Sequence, residues 1–290
     1  MPSLDLAEIR QLTITALFSD DLLSEHLVLK GGNALSLVYG VSSRTSLDLD
    51  FSMSSDFPDL SEARRRIFRA LRDRFDAVGF VVFDEKLEPK PRLQGEDLKP
   101  WWGGYELAFK IIQREKYQAL KERPDKLRID AMVIGTRQER TFTVDLSKFE
   151  FTAGKVEREL NYYTIQVYTP AMIAIEKLRA ICQQMPEYTH RGRRYPRARD
   201  FYDIHSAVTK LGIDLATDEN LELAQHIFAA KQVPLSLLRN IDQHREFHRP
   251  DWADVRNSSA EATEEFDFYF DFLLEQVERL KSLWIENPPI

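Results

Sequence analysis

Residues Leu27–Met53 read LVLKGGNALSLVYGVSSRTSLDLDFSM, and this stretch decides the fold of the chain. Its apolar beginning, Leu27–Leu29, predicts a short strand. Gly31 and Gly32 follow, where the absence of a Cβ atom lets the backbone approach a ligand or a neighbouring chain closely. A helical pattern then covers Ala34–Tyr39. The stretch therefore begins as a strand, a glycine turn and a helix.

The same stretch ends in strict alternation of apolar and polar residues. Leu47, Leu49 and Phe51 fall on one face of the predicted strand, and Asp48 and Asp50 fall on the other. Two like charges on one strand face favour a nearby cation, a partner base or open water. A glycine turn that leads into a helix, followed by Asp-x-Asp, is what a site for nucleotide phosphates and magnesium needs. Either pattern alone is more often an ordinary turn or a solvated strand face.

Composition limits the classes of protein to consider. The 290 residues give room for two modest domains or one large one, and 43% hydrophobic content predicts a well-buried core. A net charge of -7 argues against binding nucleic acid with the whole surface, so such binding would need a local basic patch. The single cysteine, Cys182, excludes an internal disulfide and a cysteine-based zinc site.

The start of the chain and its apolar runs predict an intracellular protein. The first residues, MPSLDLAEIRQ, lack the basic and then apolar pattern of a signal peptide. No apolar run approaches the ~18 residues that span a bilayer. We therefore expect a cytoplasmic location and no membrane partner.

The segments Gly31–Leu35 and Arg44–Phe51 resemble the first motif of a known family. This is the AbiEii/AbiGii nucleotidyltransferase toxin family, a branch of the DNA polymerase β-like nucleotidyltransferase superfamily. The family pattern reads roughly Lys-Gly-Gly-x-Ala-Leu, a spacer, and Arg-x-Ser-x-Asp-x-Asp-Phe. Asn33 stands where the wider superfamily often has serine, which removes a hydroxyl that could contact a phosphate.

Hydrophobic periodicity predicts the next elements. Leu60–Val78 reads as an amphipathic helix whose buried side includes Ile67 and Phe75. A strand is predicted at Phe80–Phe83, and the polar, proline-containing stretch Glu85–Lys99 reads as a loop.

The stretch Lys126–Val133 alternates again and predicts another strand, with Asp130 on its polar face. In one interpretation Asp130 is a surface carboxylate paired with Arg128. The family resemblance instead implies a third carboxylate on a strand beside Asp-x-Asp, and Asp130 is the best match. Asp145, in Thr143–Leu146, is the fallback for this position.

A later helix begins at Thr169 and Pro170, an N-cap residue and a proline at the first helical position. It continues to Cys182, and Lys177 falls just off the edge of its apolar stripe. A lysine there usually extends its stem over the core. Where that edge opens into a cleft, the ammonium group is placed to neutralise triphosphate charge.

The most basic segment, His190–Arg199, contains five arginines in an otherwise acidic chain. A run of charge is most often a solvated loop. Arginines with an interleaved tyrosine also fit the phosphates of a nucleotide or an RNA backbone. We therefore predict phosphate or RNA contacts from Arg191, Arg193, Arg194, Arg197 and Arg199.

A second signature strengthens the resemblance. Glu176–Ala180 reads EKLRA and Arg199–Ile204 reads RDFYDI, which resemble the later motif of the family, Glu-Lys-Leu-Arg-Ala followed by Arg-Asp-x-x-Asp. In the family the lysine and the first aspartate of this motif belong to the active site, which points to Lys177 and Asp200. Asp200 would either orient Lys177 or accept a proton from the incoming hydroxyl.

The resemblance implies an α+β fold with two domains. Residues 1–160 would form a polymerase β-like nucleotidyltransferase domain, a mixed sheet with helices. Residues 161–290 would form a mainly helical domain that contributes Lys177 and Asp200 to the cleft. Residues 209–290 read as scaffold or as a partner surface, without assigned chemistry.

The resemblance also implies magnesium-dependent transfer of a nucleotide from an NTP. Two Mg2+ ions would be held by Asp48, Asp50 and Asp130. The nucleotide would be bound by a further set of residues, which are Lys30, Gly31, Gly32, Asn33, Ser46 and Lys177.

The biological role implied is that of a toxin in a toxin–antitoxin or phage-defence pair, with a cognate antitoxin encoded nearby. The acceptor would be RNA, at the 3′ end of tRNA, so that the transfer blocks translation. Two alternatives stay open, which are transfer to a protein or small-molecule hydroxyl and a nucleotide-binding switch without turnover.

Overall fold

A computed structural model of the protein describes residues 4–41, 49–91, 99–134, 138–190 and 192–285. Ser46, Asp48 and Arg191, which the sequence singles out, lie outside the described residues. No helix in the described part of the chain has both the length and the apolar composition needed to cross a membrane.

Helices and strands alternate in the N-terminal half of the described chain, and helices alone follow the last strand. In chain order, the α-helices are α1 (Leu6–Phe18), α2 (Asp21–His26), α3 (Gly31–Leu37), α4 (Leu60–Asp76), α5 (Arg114–Leu120), α6 (Pro124–Ile129), α7 (Pro170–Cys182), α8 (Ala198–Leu211), α9 (Asp218–Ala229), α10 (Arg245–His248), α11 (Trp252–Ser258), α12 (Phe266–Arg279) and α13 (Ser282–Ile285). Two 3-10 helices cover Leu235–His244 and Arg249–Asp251. The strands are β1 (Val28–Lys30), β2 (Leu49–Ser52), β3 (Phe80–Lys90), β4 (Gly104–Gln113), β5 (Phe142–Ser147), β6 (Val156–Leu160) and β7 (Tyr163–Val167).

The seven described strands form one mixed sheet in the order β3-β4-β5-β2-β1-β7-β6. β2 pairs in parallel with β5, and β1 pairs in parallel with β7. β4 pairs antiparallel with both β3 and β5. A mixed sheet accompanied by helices confirms the predicted α+β class.

The central strands show the two-residue period that the sequence predicts. On β5, Val144 and Leu146 are buried and Asp145 is half-buried. On β2, Phe51 is buried and Asp50 is half-buried. Because successive side chains point to opposite faces of a strand, both aspartates face away from the apolar core residues next to them.

α4 confirms the predicted amphipathic helix. The Asp59 side chain caps it by accepting from two backbone N–H groups of the first turn, at 2.8 and 3.1 Å. Ile67 and Phe75 are fully buried, as the helical period predicts. The helix ends shortly before Gly79, whose φ of 86° lies in the left-handed region that glycine adopts readily.

The prediction of a strand at Lys126–Val133 is wrong. Pro124 starts the short helix α6 there, because the fixed φ of proline suits the first helical position. Leu127 and Ala131, four residues apart, are buried in one cluster with side chains of β3 and β4, whereas Ile129 is 66% exposed. The buried residues thus follow the spacing of a helix and not the period of a strand.

The stretch Glu85–Lys99, predicted as a loop, begins as a strand. β3 continues to Lys90 and pairs with β4 on both sides of a bulge. The register shifts between Phe83 and Lys86, where Asp84 has a positive φ of 53°. The bulge interrupts the alternation of apolar and polar residues, so the sequence pattern predicts the end of the strand too early.

The contacts of the chain divide it into two compact units that are interleaved in sequence. The first unit consists of Met1–Leu29, Leu47–Phe149 and Glu157–Val167. The second unit consists of Lys30–Ser46, Glu150–Val156 and Tyr168–Ile290. This division differs from a single boundary at residue 160, because the glycine turn and α3 group with the C-terminal helices.

Within the second unit, α3 packs against α7 and α8, and α7 also packs against α9. α8 contacts α12, where Phe201 stacks on Phe270 with ring centroids 5.1 Å apart. The glycine turn, Lys177 and Asp200 therefore belong to one packed group of helices.

Gly104 should tolerate no side chain, because a Cβ atom there would lie 2.0 Å from the backbone oxygen of Leu146 on β5. We expect Gly104→Ala to lower the free energy of unfolding by at least about 2 kcal/mol. Gly192→Ala is the control, since a Cβ atom there meets no atom within 4 Å, and its effect should stay within about 1 kcal/mol. Urea denaturation measures both variants, and equal stabilities would contradict the pairing of β4 with β5.

Candidate active site

Three acidic side chains, Asp50, Asp145 and Glu106, lie side by side across β2, β5 and β4, and we call them the acidic row. Asp50 is directly opposite Asp145, and Asp145 is directly opposite Glu106. Directly opposite residues on paired strands point to the same face, and neighbouring strands are about 4.8 Å apart. The three carboxylates therefore project from one face of the sheet as neighbours.

A lysine already binds the acidic row. The Nζ atom of Lys90 donates to both carboxylate oxygens of Asp145, at 2.7 and 2.8 Å, and lies 3.7 Å from Glu106 Oε2. Neighbouring carboxylates repel one another, and the ammonium group offsets that repulsion. The row thus attracts cations, although within the described ranges no three histidine, cysteine or acidic side chains are grouped closely enough to hold a metal ion.

Asp130 does not belong to the acidic row. It follows α6 and is exposed, and the backbone N–H of Met132 donates to the carbonyl of Ile111 on β4, 2.8 Å away. Ile111 is five residues from Glu106 along the strand, or about 17 Å. The prediction that Asp130 stands on a strand beside Asp-x-Asp is therefore wrong. Asp145, the fallback, is the carboxylate opposite Asp50.

Lys177 of α7 is held between two aspartates of α8. Its Nζ atom lies 2.9 Å from Asp200 Oδ1 and 2.7 Å from Asp203 Oδ2. All three side chains are buried, with at most 7% exposed. The structure thus brings together Lys177 and Asp200, the pair that the second signature singles out. Sequence reasoning missed Asp203 as a partner, although it is the last aspartate of the same signature.

The sequence around α8 explains this geometry. The helix begins at Ala198, so Asp200 lies in its first turn and Asp203 follows one turn later on the same side. Arg197, which precedes the helix, donates from Nε to Asp200 Oδ2. Burial acts to raise the pKa of the Asp200 carboxyl, but the charges of Arg197 and Lys177 outweigh burial and lower that pKa below its usual range. Asp200 is therefore an ionised carboxylate that holds Lys177.

The glycine turn at the start of α3 has the expected backbone. Gly31 has a φ of 73°, a left-handed conformation that glycine adopts at little cost. Gly31, Gly32 and Asn33 are all buried, and α3 has only seven residues. Their contact with nucleotide phosphates stays a prediction. Ser46 and Asp48 lie outside the described residues, so the phosphate contact of Ser46 and the metal role of Asp48 also stay predictions.

Lys30 is engaged by carboxylates of its own unit. Its side chain is buried, and its Nζ atom lies 3.3 Å from Glu176 Oε1 and 3.7 Å from Glu150 Oε1. Burial acts to lower the pKa of the ammonium group, but the two carboxylates more than offset burial and raise that pKa above its usual range. Lys30 is thus a charged member of a buried cluster, and its predicted contact with a nucleotide stays a prediction.

The predicted arginine contacts fall into two groups. Arg193, Arg194 and Arg199 are exposed. Arg197 is half-buried and bound within the protein, because its side chain donates to α8 and its backbone N–H donates to His248 Nδ1 at 3.1 Å. Contact with RNA stays a prediction for the exposed group, and Arg197 also has a structural task.

Comparison with known proteins gives a family match that spans both signatures. The sequence profile described as "Nucleotidyl transferase AbiEii toxin, Type IV TA system" matches residues 14–272. No curated protein matches the chain.

Two solved structures are among those that match the chain. A protein from H. pylori described as a nucleotidyltransferase has 16% sequence identity and a TM-score of 0.46, over 97% of this chain and 96% of its own. An antigenic nucleotidyltransferase-like protein from Paracoccidioides brasiliensis has 15% identity and a TM-score of 0.37, over 87% of this chain and 94% of its own.

Removal of the Lys177 ammonium group should leave two buried carboxylates without their shared cation. We expect Lys177→Met to lower the free energy of unfolding by about 3 kcal/mol at pH 7. Because the pKa of Asp200 is lowered, its ionised form stabilises the fold above its ordinary pKa, and this contribution is lost as the pH falls through the folded-state pKa. Without Lys177 one cation fewer opposes the effect of burial, so the pKa of the Asp200 carboxyl is raised in the variant. The carboxyl then takes up a proton as the pH falls from 7 toward about 4, which relieves the buried uncompensated charge, and the difference between variant and wild type should shrink.

Urea denaturation at both pH values measures this difference. Lys210→Met is the matched control, since Lys210 contacts Glu261 at 2.8 Å while the two side chains are 40% and 56% exposed. The control should change the free energy of unfolding by less than about 1 kcal/mol at either pH. Losses of equal size in the two variants would contradict the burial of charge around Lys177.

Proposed function

The chain belongs to the AbiEii family of nucleotidyltransferase toxins, and we propose that it transfers a nucleoside monophosphate from an NTP to the 3′ end of a tRNA. As a member of that family it is a nucleotidyltransferase and the toxin of a toxin–antitoxin system. The observation that supports the proposed chemistry best is the pairing of Asp50 with Asp145 on adjacent parallel strands.

The oxygen donors of the acidic row fit magnesium. Mg2+ prefers hard oxygen ligands and is usually bound through one or two carboxylates together with phosphates of the substrate. Asp50 and Asp145 would hold the ions together with Asp48, which the sequence places on the same strand face two residues before Asp50. When bound, two such ions supply the charge that activates the attacking hydroxyl and neutralises the departing pyrophosphate.

Within the second unit we assign Lys177 to the triphosphate, as the cation that offsets its negative charge. The environment of Asp200 favours one of its two candidate roles. A general base works best with a pKa near the operating pH, whereas the cations around Asp200 lower the pKa of its carboxyl. We therefore assign Asp200 to orienting Lys177, together with Asp203, and not to accepting a proton from the acceptor hydroxyl.

The exposed arginines support RNA as the acceptor. Arg193, Arg194 and Arg199 form a local basic segment in a chain of net charge -7. The guanidinium group binds phosphate through two parallel hydrogen bonds, which suits an RNA backbone. Modification of the tRNA end would block translation in the cytoplasm. A toxin of a toxin–antitoxin or phage-defence pair would act in this way, and a cognate antitoxin would restrain it.

The acceptor is tested by incubating the protein with each of the four labelled NTPs, magnesium and total tRNA. We expect label in RNA with at least one NTP. Absence of label in RNA with all four would count against an RNA acceptor, and label in protein or small molecules of a cell lysate would support the alternative acceptors. Binding of NTP without release of pyrophosphate would indicate a switch without turnover.

Asp145→Asn and Asp130→Asn separate the two candidates for the third carboxylate. We expect Asp145→Asn to lower kcat about 100-fold or more, because it removes a charge next to the reacting phosphates. Asp130→Asn is the matched control, since Asp130 is exposed beside α6, and it should leave kcat nearly unchanged. Thermal denaturation checks that both variants fold. A large loss of kcat in Asp130→Asn, with little change in Asp145→Asn, would identify Asp130 as the third carboxylate.

Simultaneous replacement of Arg193, Arg194 and Arg199 by alanine should raise the KM for tRNA and leave the KM for NTP unchanged. The slope of log K for tRNA binding against log salt concentration should fall by about 2, as expected when three phosphate contacts to a single strand are lost. Filter binding at several salt concentrations measures this slope.

Three exposed arginines of the first unit serve as the control for this triple variant. Arg65, Arg69 and Arg114 have side chains that are 72%, 63% and 47% exposed. Their replacement by alanine should change neither the KM for tRNA nor the salt slope. Equal effects of the two triple variants would contradict a specific role for the basic segment.

A further inference from the structure

Five charged side chains lie together in the second unit, and we call them the ionic cluster: Lys30, Glu150, Glu176, Arg179 and Lys231, of which Glu176 is half-buried and the other four are buried. Arg179 Nη1 lies 2.7 Å from Glu150 Oε2, and Arg179 Nη2 lies 3.1 Å from Glu176 Oε1. Lys30 contacts the same two carboxylates, at 3.7 and 3.3 Å. Lys231 joins the cluster through Glu150 Oε1, at 3.5 Å.

The ionic cluster connects the two signature motifs. Lys30 immediately precedes the glycine turn, and its side chain makes no cap hydrogen bond to α3. Glu176 and Arg179 lie one turn apart on α7, so they face the same side of that helix. Glu176 also directly precedes Lys177 in sequence. The cluster therefore holds the start of α3 against the turn of α7 that carries Lys177.

The ionic cluster contains three cations and two carboxylates. Lys30 and Arg179 balance the two carboxylates, which makes Lys231 the additional cation. Burial lowers the pKa of Lys231 to about 8, and although Glu150 acts to raise that pKa, Arg179 and Lys30 oppose it. The other four side chains are therefore the part of the cluster that stays charged across the neutral range.

Buried ion pairs contribute little net stability, because replacement of both partners by apolar residues is often neutral. Removal of one partner alone is costly, since the other charge is left buried without compensation. A shift of α3 against α7 has the same effect, because it would separate Lys30 from Glu176. Such a cluster is suited to fixing geometry more than to adding stability.

We propose that the ionic cluster is a positioning device for the nucleotide site, in which Lys30 and Glu176 fix the Gly31–Asn33 turn relative to Lys177. This inference rests on the proposed function. It makes Lys30 a positioning residue that acts through Glu176 and Glu150, and not a ligand of the NTP phosphates.

A double-mutant cycle tests the proposal through kcat and through the KM for NTP. Lys30→Met and Glu176→Gln should each lower kcat about 10- to 100-fold with a smaller change in KM, because the reacting groups are misplaced. The double variant should be no worse than the more damaged single variant, since both changes break one interaction. Two results together would identify Lys30 as a phosphate ligand and overturn the proposal. The KM for NTP would rise more in Lys30→Met than in Glu176→Gln, and the loss of kcat/KM in the double variant would equal the product of the losses in the two single variants.

Amide hydrogen exchange of residues 31–37, measured without substrate, gives a readout that does not depend on catalysis. Exchange of these amides should be faster in both single variants than in wild type. Unchanged exchange and unchanged kcat, with only a lower melting temperature, would reduce the cluster to a structural role. If Lys30→Met fails to fold, Glu176→Gln alone is compared with wild type, and Lys30→Arg should retain most of the wild-type kcat because it keeps the charge.

An exposed pair serves as the matched control. Lys281 and Glu278 contact each other at 2.7 Å, with side chains 57% and 69% exposed. Lys281→Met and Glu278→Gln should change neither kcat nor the exchange of residues 31–37. Failure of wild-type protein to transfer any nucleotide would contradict the proposed function. Unaltered exchange in the Lys30→Met and Glu176→Gln variants would contradict the positioning device, whatever the transfer assay gives.

Discussion

Burial of an ammonium group costs several kcal/mol unless carboxylates surround it, and α7 and its neighbours meet this constraint twice. Lys177 is enclosed by two aspartates of α8. One residue earlier, Glu176 takes part in enclosing Lys30. Once these charges are buried, a shift of α3 or α8 against α7 separates a charge from its partner. The arrangement of the second unit therefore depends on α7.

In the first unit the equivalent constraint is strand register. Because side chains alternate, a slip of β5 by one residue against β2 would turn Asp145 toward the core and Val144 toward solvent. Burial of Val144 and Leu146 prevents that slip. Burial of the apolar residues thus determines the face of the sheet on which Asp145 and Asp50 lie. The grouping of carboxylates in the acidic row is therefore a result of core packing.

The sequence predicts these features to different extents, for physical reasons. Strong periodicity over many residues predicted α4 and α7, and the face of Asp50, since one face of each is buried. Lys126–Val133 is short, so its apolar residues fit both the period of a strand and that of a helix. Pro124 favours the helix, because it occupies the first helical position. The Lys30–Glu176 contact joins residues 146 positions apart, and a single sequence carries no signal for such pairing. Likewise, only the pairing of β4 with β5 shows that Glu106 and Asp145 are neighbours.

The interleaving of the two units has a consequence for how such a chain is inherited. Lys30–Ser46 belongs to the second unit but lies between segments of the first. A single genetic crossover between related genes therefore cannot replace one unit as a block, and a crossover between α3 and α7 would combine α3 from one parent with α7 from the other. Lys30, which directly precedes α3, and Glu176 of α7 would then have evolved with different partners. We expect the two units to descend together, with change accumulating by point substitution and not by shuffling.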